Sequence, residues 1–178
     1  MYISEILSKA PVEFISPLQA KVYETLDLLG IGFDRVDTDE IITMDDCQAV
    51  NETLDMKMVK TLFLCNNQKT QFYLFITVGD KPFNAKDFSH ATGLPRVSFV
   101  KADLMQEKLG VKVGAATIFS LLLEHNVDVH LVLDAAVTAQ QCYGCSDGAT
   151  TSYMKLETRQ LLDVFLPHIR HPYSVATL

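Results

Sequence analysis

Lys60 is out of keeping with its neighbours, for it stands in "MVKTLFLC", an otherwise apolar run. A lysine there either snorkels to solvent at a sheet edge or sets a compact ammonium in a cleft, where it can hold a phosphate or a carbonyl oxygen. A second candidate is "LGVKVGAATIFSLLL", residues 109–123, in which Gly110 and Gly114 precede a run that turns apolar. Bare backbone at a helix entrance either packs closely or leaves amide donors for an oxyanion or phosphate. His130, in "VDVHLVLD", has a tunable imidazole, or is a packed strand residue. "CYGC" at 142–145 has a metal or redox spacing, but no second CxxC or paired HxxxH accompanies it, so two ordinary thiols are expected. His125, His168 and His171 fall at element ends and read as surface. No P-loop, GxGxxG, HExxH or Ser-His-Asp order is present.

The elements that must position these residues follow from periodicity. "SPLQAKVYETLDLLGI" reads as a helix, with Ser16 as cap, Pro17 in the first turn and Gly30 as stop. "GFDRVDT" alternates as a strand. "TMDDCQAVNETL" suits a helix capped by Thr43, with Met44, Cys47 and Val50 on one face. Two β-rich runs, 58–65 and 71–78, flank the turn-like "NNQKT" and predict a hairpin inside a sheet. "NAKDFSHATGL" predicts a short helix, and "VSFVKADLMQEKLGV" a strand and a helix. "TIFSLLLEH" predicts a buried helix. "VDVHLVLDAAV" predicts a buried strand broken by Asp134. "SDGATTSYMKL" adds a turn and a strand, "ETRQLLDVFLPHI" a last amphipathic helix and "YSVATL" a closing strand. The order implies a mixed α/β (α+β) fold, one compact domain with a mixed sheet flanked by helices.

Apolar residues make up 48% and charged residues 21%, a globular balance. No run of 18 apolar residues exists, so no membrane span is expected, and an N-terminus without a basic start is no secretory signal. A cytoplasmic protein with reduced cysteines is the expectation. The net charge of −7 is unevenly spread: residues 57–112 hold nine basic and four acidic side chains, whereas residues 1–56 hold three and twelve. The middle segment is either an anion-binding face or a lysine-guarded sheet edge.

Three segments in order, "KTLFLCNNQKTQFYLFITVGDK", "LGVKVGAATIFSLLLEHNVDVHLVLD" and "DGATTSYMKLETRQLLDVFLPHI", resemble the YbaK/prolyl-tRNA-synthetase-associated editing domain. The likeness is greatest to its free-standing members, the ProX/PrdX type that hydrolyses mischarged Ala-tRNA(Pro). It runs from about "LLGIGFDRVDT" to the C-terminus and leaves 1–15 as an N-terminal extension.

The resemblance implies a central, partly barrel-like sheet and an aminoacyl-tRNA deacylase that uses no cofactor and no metal. Lys60 matches a lysine needed for activity, which contacts the 3′ end of the charged tRNA, and Thr61 lies beside it on the same strand. Gly114–Ile118 matches the G-x-x-x-P loop. There Gly114 and Ala115 would hold the ester carbonyl, and Ala116, Thr117 and Ile118 would surround the terminal ribose. His130 matches a histidine that shapes the pocket or meets the terminal adenosine. Met44, Cys47 and Val50 would line a small side-chain pocket. The implied partners are a tRNA acceptor end carrying a mischarged small amino acid and a prolyl-tRNA synthetase. Departures are clear: Ile118 replaces proline, Thr38, Asp39 and Glu40 replace His-Pro-Pro, and Tyr143 and Asp147 replace histidine and asparagine in the late loop. Three other readings stay open on sequence: a non-catalytic tRNA- or synthetase-binding module, a small-molecule-binding regulator that uses the same pocket and is indifferent to tRNA, and a deacylase for Cys or Ser.

Overall fold

A computed structural model describes residues 1–178. Its eight strands form two sheets. Three antiparallel strands run in the order β1 (Phe33–Asp37), β7 (Ser152–Glu157) and β6 (Cys142–Ser146). Five more run in the order β4 (Val97–Phe99), β2 (Val59–Asn66), β3 (Phe72–Val78), β5 (His130–Asp134) and β8 (Tyr173–Ala176). The larger sheet is mixed: β2 pairs antiparallel with β3 and β4, whereas β3–β5 and β5–β8 are parallel. Helices pack around both sheets in a single α+β domain. No helix is long and apolar enough to cross a membrane.

The β2–β3 hairpin forms because its turn is chemically specified. The Asn66 carboxamide oxygen accepts from the amides of Thr70 and Gln71, and Lys69 takes the left-handed region at φ +54°. Both faces of the hairpin are buried, which explains its near-continuous apolar character. Val59, Phe63, Leu74 and Ile76 join the main core, and Leu64, Tyr73 and Phe75 join a second cluster. The first helix, α1 (Pro17–Leu29), starts where Ser16 Oγ accepts from the Gln19 amide at 3.1 Å and ends at Gly30 in the left-handed region. It buries Leu18, Val22 and Leu26 in the main core. Residues 1–15 are tied to β1: Leu7 and Arg35 exchange backbone hydrogen bonds of 2.8 Å.

Three expectations change in detail. The central sheet is divided in two, and no closed barrel forms. The sheets meet at one parallel bridge, Met58 with Gly144. A Cβ on Gly144 would lie 2.5 Å from Met56 Sδ and 3.0 Å from the Lys57 carbonyl, so the approach depends on glycine. "TIFSLLLEH" is not an α-helix but two 3₁₀ turns, Ile118–Leu122 and Glu124–Asn126. Side chains supply the competing bonds: Ser120 Oγ donates to the Leu109 carbonyl, and Asn126 Nδ2 donates to the carbonyls of Lys108 and Ser120. The last helix widens into a π segment, Leu161–Phe165, just before Pro167, which has no amide to continue the ladder.

Asp147 pins the smaller sheet to α1. Its carboxylate is fully buried and accepts from Tyr23 Oη at 2.7 Å, Gln19 Nε2 at 3.0 Å and the Ala149 amide at 3.2 Å. Burial pushes its pKa up, and these donors only partly offset that. The folded carboxyl therefore binds its proton more tightly than the unfolded one. Its stabilising contribution is full below the ordinary aspartate value of roughly 4 and is lost as pH rises through the raised value. Asp147→Asn should remove this component, so the melting temperature of the variant relative to the parent should rise with pH across that window. Parallel thermal melts at a series of pH values check it, and a constant difference would contradict it.

Candidate functional site

The two sheets leave a gap along one strand. β2 has β3 beside it throughout, but on its other side β4 pairs only with Leu64–Asn66. The last bond on that side is the Val100 amide to the Phe63 carbonyl, at 3.0 Å. Toward the other end the edge meets β6 at the Met58–Gly144 bridge. Between these anchors, residues 59–62 face no strand, and a cleft of about 300 Å³ occupies the opening. Consecutive residues from Met58 to Phe63 line it, as expected where a cavity lies against a strand edge. Because the Phe63 carbonyl turns toward β4, antiparallel alternation turns the amide and carbonyl of Thr61 the same way, into the cleft.

Lys60 lines this cleft, and its ammonium is held rather than loose. Nζ donates to the Lys81 carbonyl at 2.6 Å, which leaves two N–H donors for a ligand. Lys81 is itself anchored: its own Nζ pairs with Asp134 Oδ2 at 2.8 Å, and Thr77 Oγ1 donates to the same oxygen at 2.7 Å. Thr77 is the direct cross-strand neighbour of Lys60. Burial acts to raise the Asp134 pKa, but hydrogen bonds from Lys81, the Ala136 amide and Thr77, with the Lys81 charge, outweigh it and hold the carboxyl below its ordinary value.

The facing wall is the segment Ile41–Met44 with Cys47. It is laced to the smaller sheet: the Ile41 amide donates to the Thr150 carbonyl, and Tyr153 Oη lies 3.1 Å from the carbonyls of Ile41 and Thr150. Thr38 and Glu40, two of the departures, serve this lacing. The Thr38 amide donates to the Thr151 carbonyl, and Glu40 Oε1 accepts from Thr150 Oγ1 at 3.0 Å. Gly114 closes the cleft against the same segment. Its φ is +93°, and a Cβ would lie 3.2 Å from Ile42 Cα. With the 3₁₀ turn beginning only at Ile118, Gly114 is not at the mouth of an α-helix but in a separate turn. The Ala115 amide donates back to the Lys112 carbonyl at 3.1 Å, whereas the amides of the cleft-lining loop residues Val113, Gly114 and Ala116 have no acceptor in the chain.

The candidate residues from sequence therefore divide. Lys60, Thr61, Met44, Cys47, Gly114 and Ala116 line the cleft. Val50 lies behind Cys47 in the same apolar cluster, and Ala115, Thr117 and Ile118 are buried beneath the loop. His130 is elsewhere: it is exposed at the start of β5, against the Tyr73 ring and in a different cavity. His171 is buried, with Nε2 2.8 Å from the Val129 carbonyl, and does not read as surface. Cys142 and Cys145 lie three apart on β6, so their side chains take opposite faces and form no pair. Cleft residues not singled out by sequence include Ile41, Met58, Phe99, Val113 and Tyr153, and Cys145, expected only as an ordinary thiol, also lines it. No carboxylate or imidazole lines the cleft. Burial and nearby Asp46 push the Cys47 thiol up to about 11, and burial with Asp147 pushes Cys145 up as well, so neither is a ready nucleophile.

A family model, the aminoacyl-tRNA editing domain, matches residues 38–164. The chain belongs to this family. The match spans the whole cleft, from the Thr38 segment through Lys60 and Gly114 to Tyr153. The prolyl-tRNA editing protein ProX of Acetoanaerobium sticklandii is 26% identical over 139 residues, 76% of this chain and 84% of that protein. The prolyl-tRNA synthetase associated domain-containing protein 1 of Mus musculus is 30% identical over 123 residues, 68% of this chain and 72% of that one. A solved structure of a candidate trans-editing enzyme for prolyl tRNA synthetase superposes with a TM-score of 0.65 over 93% of this chain and 99% of that one. Its 18% identity speaks to the fold alone.

The Asp134 site yields a pH prediction of opposite sign to that for Asp147. A lowered carboxyl pKa contributes stability above the ordinary carboxylate value and loses it as pH falls through the folded value. Asp134→Asn should cost about 1–3 kcal/mol at neutral pH, with the deficit shrinking toward acid. Chemical denaturation at neutral and acid pH measures it, and a deficit that grows with acid would refute the ion-pair account.

Proposed function

We propose that this editing-domain protein acts in trans as an aminoacyl-tRNA deacylase, cleaving the ester of a mischarged small amino acid, with Ala-tRNA(Pro) as its substrate. The observation that carries this reading is the one cleft lined together by Lys60, by Gly114 and Ala116, whose amides have no acceptor in the chain, and by the apolar Met44 and Cys47. Ester hydrolysis needs a positioned water and a stabilised oxyanion, and the ribose hydroxyl leaves readily. Here Lys60 would anchor the 3′-terminal phosphate or ester region through its two spare donors. The Gly114 and Ala116 amides would receive the oxyanion, and the unpartnered Thr61 carbonyl could accept from the substrate's amino group. With no carboxylate, imidazole or ready thiol in the cleft, the attacking water's proton would be relayed through the neighbouring ribose hydroxyl of the substrate to the departing ribose oxygen, which leaves as a hydroxyl.

The apolar wall supports a small uncharged side chain, and discrimination would be modest because one methylene is worth roughly 1–3 kcal/mol. The absence of a protein base in the cleft also favours a second reading, a module that binds the acceptor end without hydrolysing it. Cys- and Ser-tRNA(Pro) are the alternative substrates, and a prolyl-tRNA synthetase is the partner the family likeness supports.

Release of amino acid from Ala-, Cys-, Ser- and Pro-tRNA(Pro) decides among these. Selective deacylation of Ala-tRNA(Pro), reduced at least about a hundredfold by Lys60→Ala, is the expected result, given what one oxyanion or charge contact contributes in related chemistry. Binding without hydrolysis of any substrate would establish the module instead. The basic middle segment should meet phosphates, so affinity should fall by tenfold or more between roughly 50 and 200 mM salt if several contacts form. Salt-independent binding would exclude that face.

A further inference from the structure

Three large apolar side chains stand exposed at the rim of the cleft: Phe99 at 59%, Ile42 at 58% and Val113 at 54%. Phe99 differs from the other two because its ring is fixed from behind. Phe83 packs against it edge-on, with centroids 5.5 Å apart and planes at 69°, and Phe83 packs in turn on Phe75 and Phe88. An aromatic ring buttressed in this way and left more than half exposed is a stacking platform. Its position relative to Lys60 follows from register. Phe99 pairs across the strands with Leu64, so the two side chains share a sheet face, and Lys60 lies on that face four residues back along β2. Four strand residues span about 13 Å, a distance that one or two nucleotides bridge.

We propose that Phe99 forms a nucleobase subsite, on which a base of the single-stranded acceptor end stacks while its ester end lies at Lys60. This rests on the deacylase reading for the identity of the substrate, but not on hydrolysis itself. Charge around the rim selects a nucleic acid rather than a protein as the occupant. Lys101 follows Phe99 by two residues and Lys112 precedes Val113, and both are exposed on the basic middle segment. Asp45 and Asp46 follow Met44, and Glu40 precedes Ile41, on the wall formed by Ile41–Met44, whereas Asp103 is the acid that follows Lys101. Phosphates would therefore leave the cleft on the Phe99 side. Base–aromatic stacking tolerates any base, so the subsite adds affinity without choosing the tRNA.

The chain contains no tryptophan, so Phe99→Trp creates a single fluorescent reporter at the subsite. Titration of that variant with the trinucleotide CCA should quench its emission saturably, and CCA with an abasic 3′ nucleotide should bind several-fold more weakly. In deacylation assays Phe99→Leu should raise KM roughly tenfold or more while keeping kcat and melting temperature, and Phe99→Tyr should restore KM. Equal response to the abasic probe, an unchanged KM in Phe99→Leu, or dimerisation that Phe99→Leu abolishes without CCA-specific quenching would overturn the subsite. CCA-specific quenching with no hydrolysis of any aminoacyl-tRNA would uphold the subsite and sink the deacylase. Hydrolysis without quenching would do the reverse.

Discussion

An incompletely paired strand underlies everything at the cleft. β2 is satisfied by β3 on one side, but on the other β4 pairs with it only at Leu64–Asn66, and the backbone bridge to β6 falls at Met58, just before the strand. Backbone donors and acceptors at an unpaired edge are costly to bury without partners. The fold therefore keeps the opening accessible, and a ligand can supply the missing bonds. Closing the gap would require β4 to run two or three residues further. Instead the chain leaves the strand at Phe99, and a new helix starts at Ala102.

Each wall of the opening is held by a different kind of interaction. On one side the Lys60 ammonium rests on a carbonyl whose own residue is clamped to buried Asp134. On the other, the Ile41 segment is carried by backbone bonds to the Thr150 region and by the Tyr153 hydroxyl. Asp147 secures the neighbouring turn to α1. The two buried carboxyl groups respond to pH in opposite directions because one has a cation beside it and the other has only neutral donors. Thr38, Glu40 and Asp147 all fall within this scaffold, Thr38 through its backbone amide and Glu40 and Asp147 through their carboxyl groups.

Charge is unevenly spread around the cleft. Lys101 follows the exposed Phe99, Lys112 adjoins the Gly114 loop, and Asp45 and Asp46 follow Met44. A protein with a net charge of −7 can thus present a locally basic entrance. The interior of the cleft is mostly apolar, which suits an uncharged group.

Much of this was legible in the residues alone. Ser16, Pro17 and Gly30 delimit α1, the Asn66 turn sets the hairpin, and Lys60 stands out within an apolar strand, because capping, turn chemistry and periodicity are local properties. The quoted segments also sufficed to place the chain near its family. Only the tertiary structure decided that Ile118–Leu122 is a 3₁₀ turn, because the competing hydrogen bonds come from Ser120 and Asn126 to backbone brought close by folding. It alone placed His130 outside the cleft, paired Lys81 with Asp134 across 53 positions, and set Phe99 beside Leu64. Those facts depend on strand order and register, and register follows from which faces are buried against which partners, a long-range outcome that no local pattern encodes.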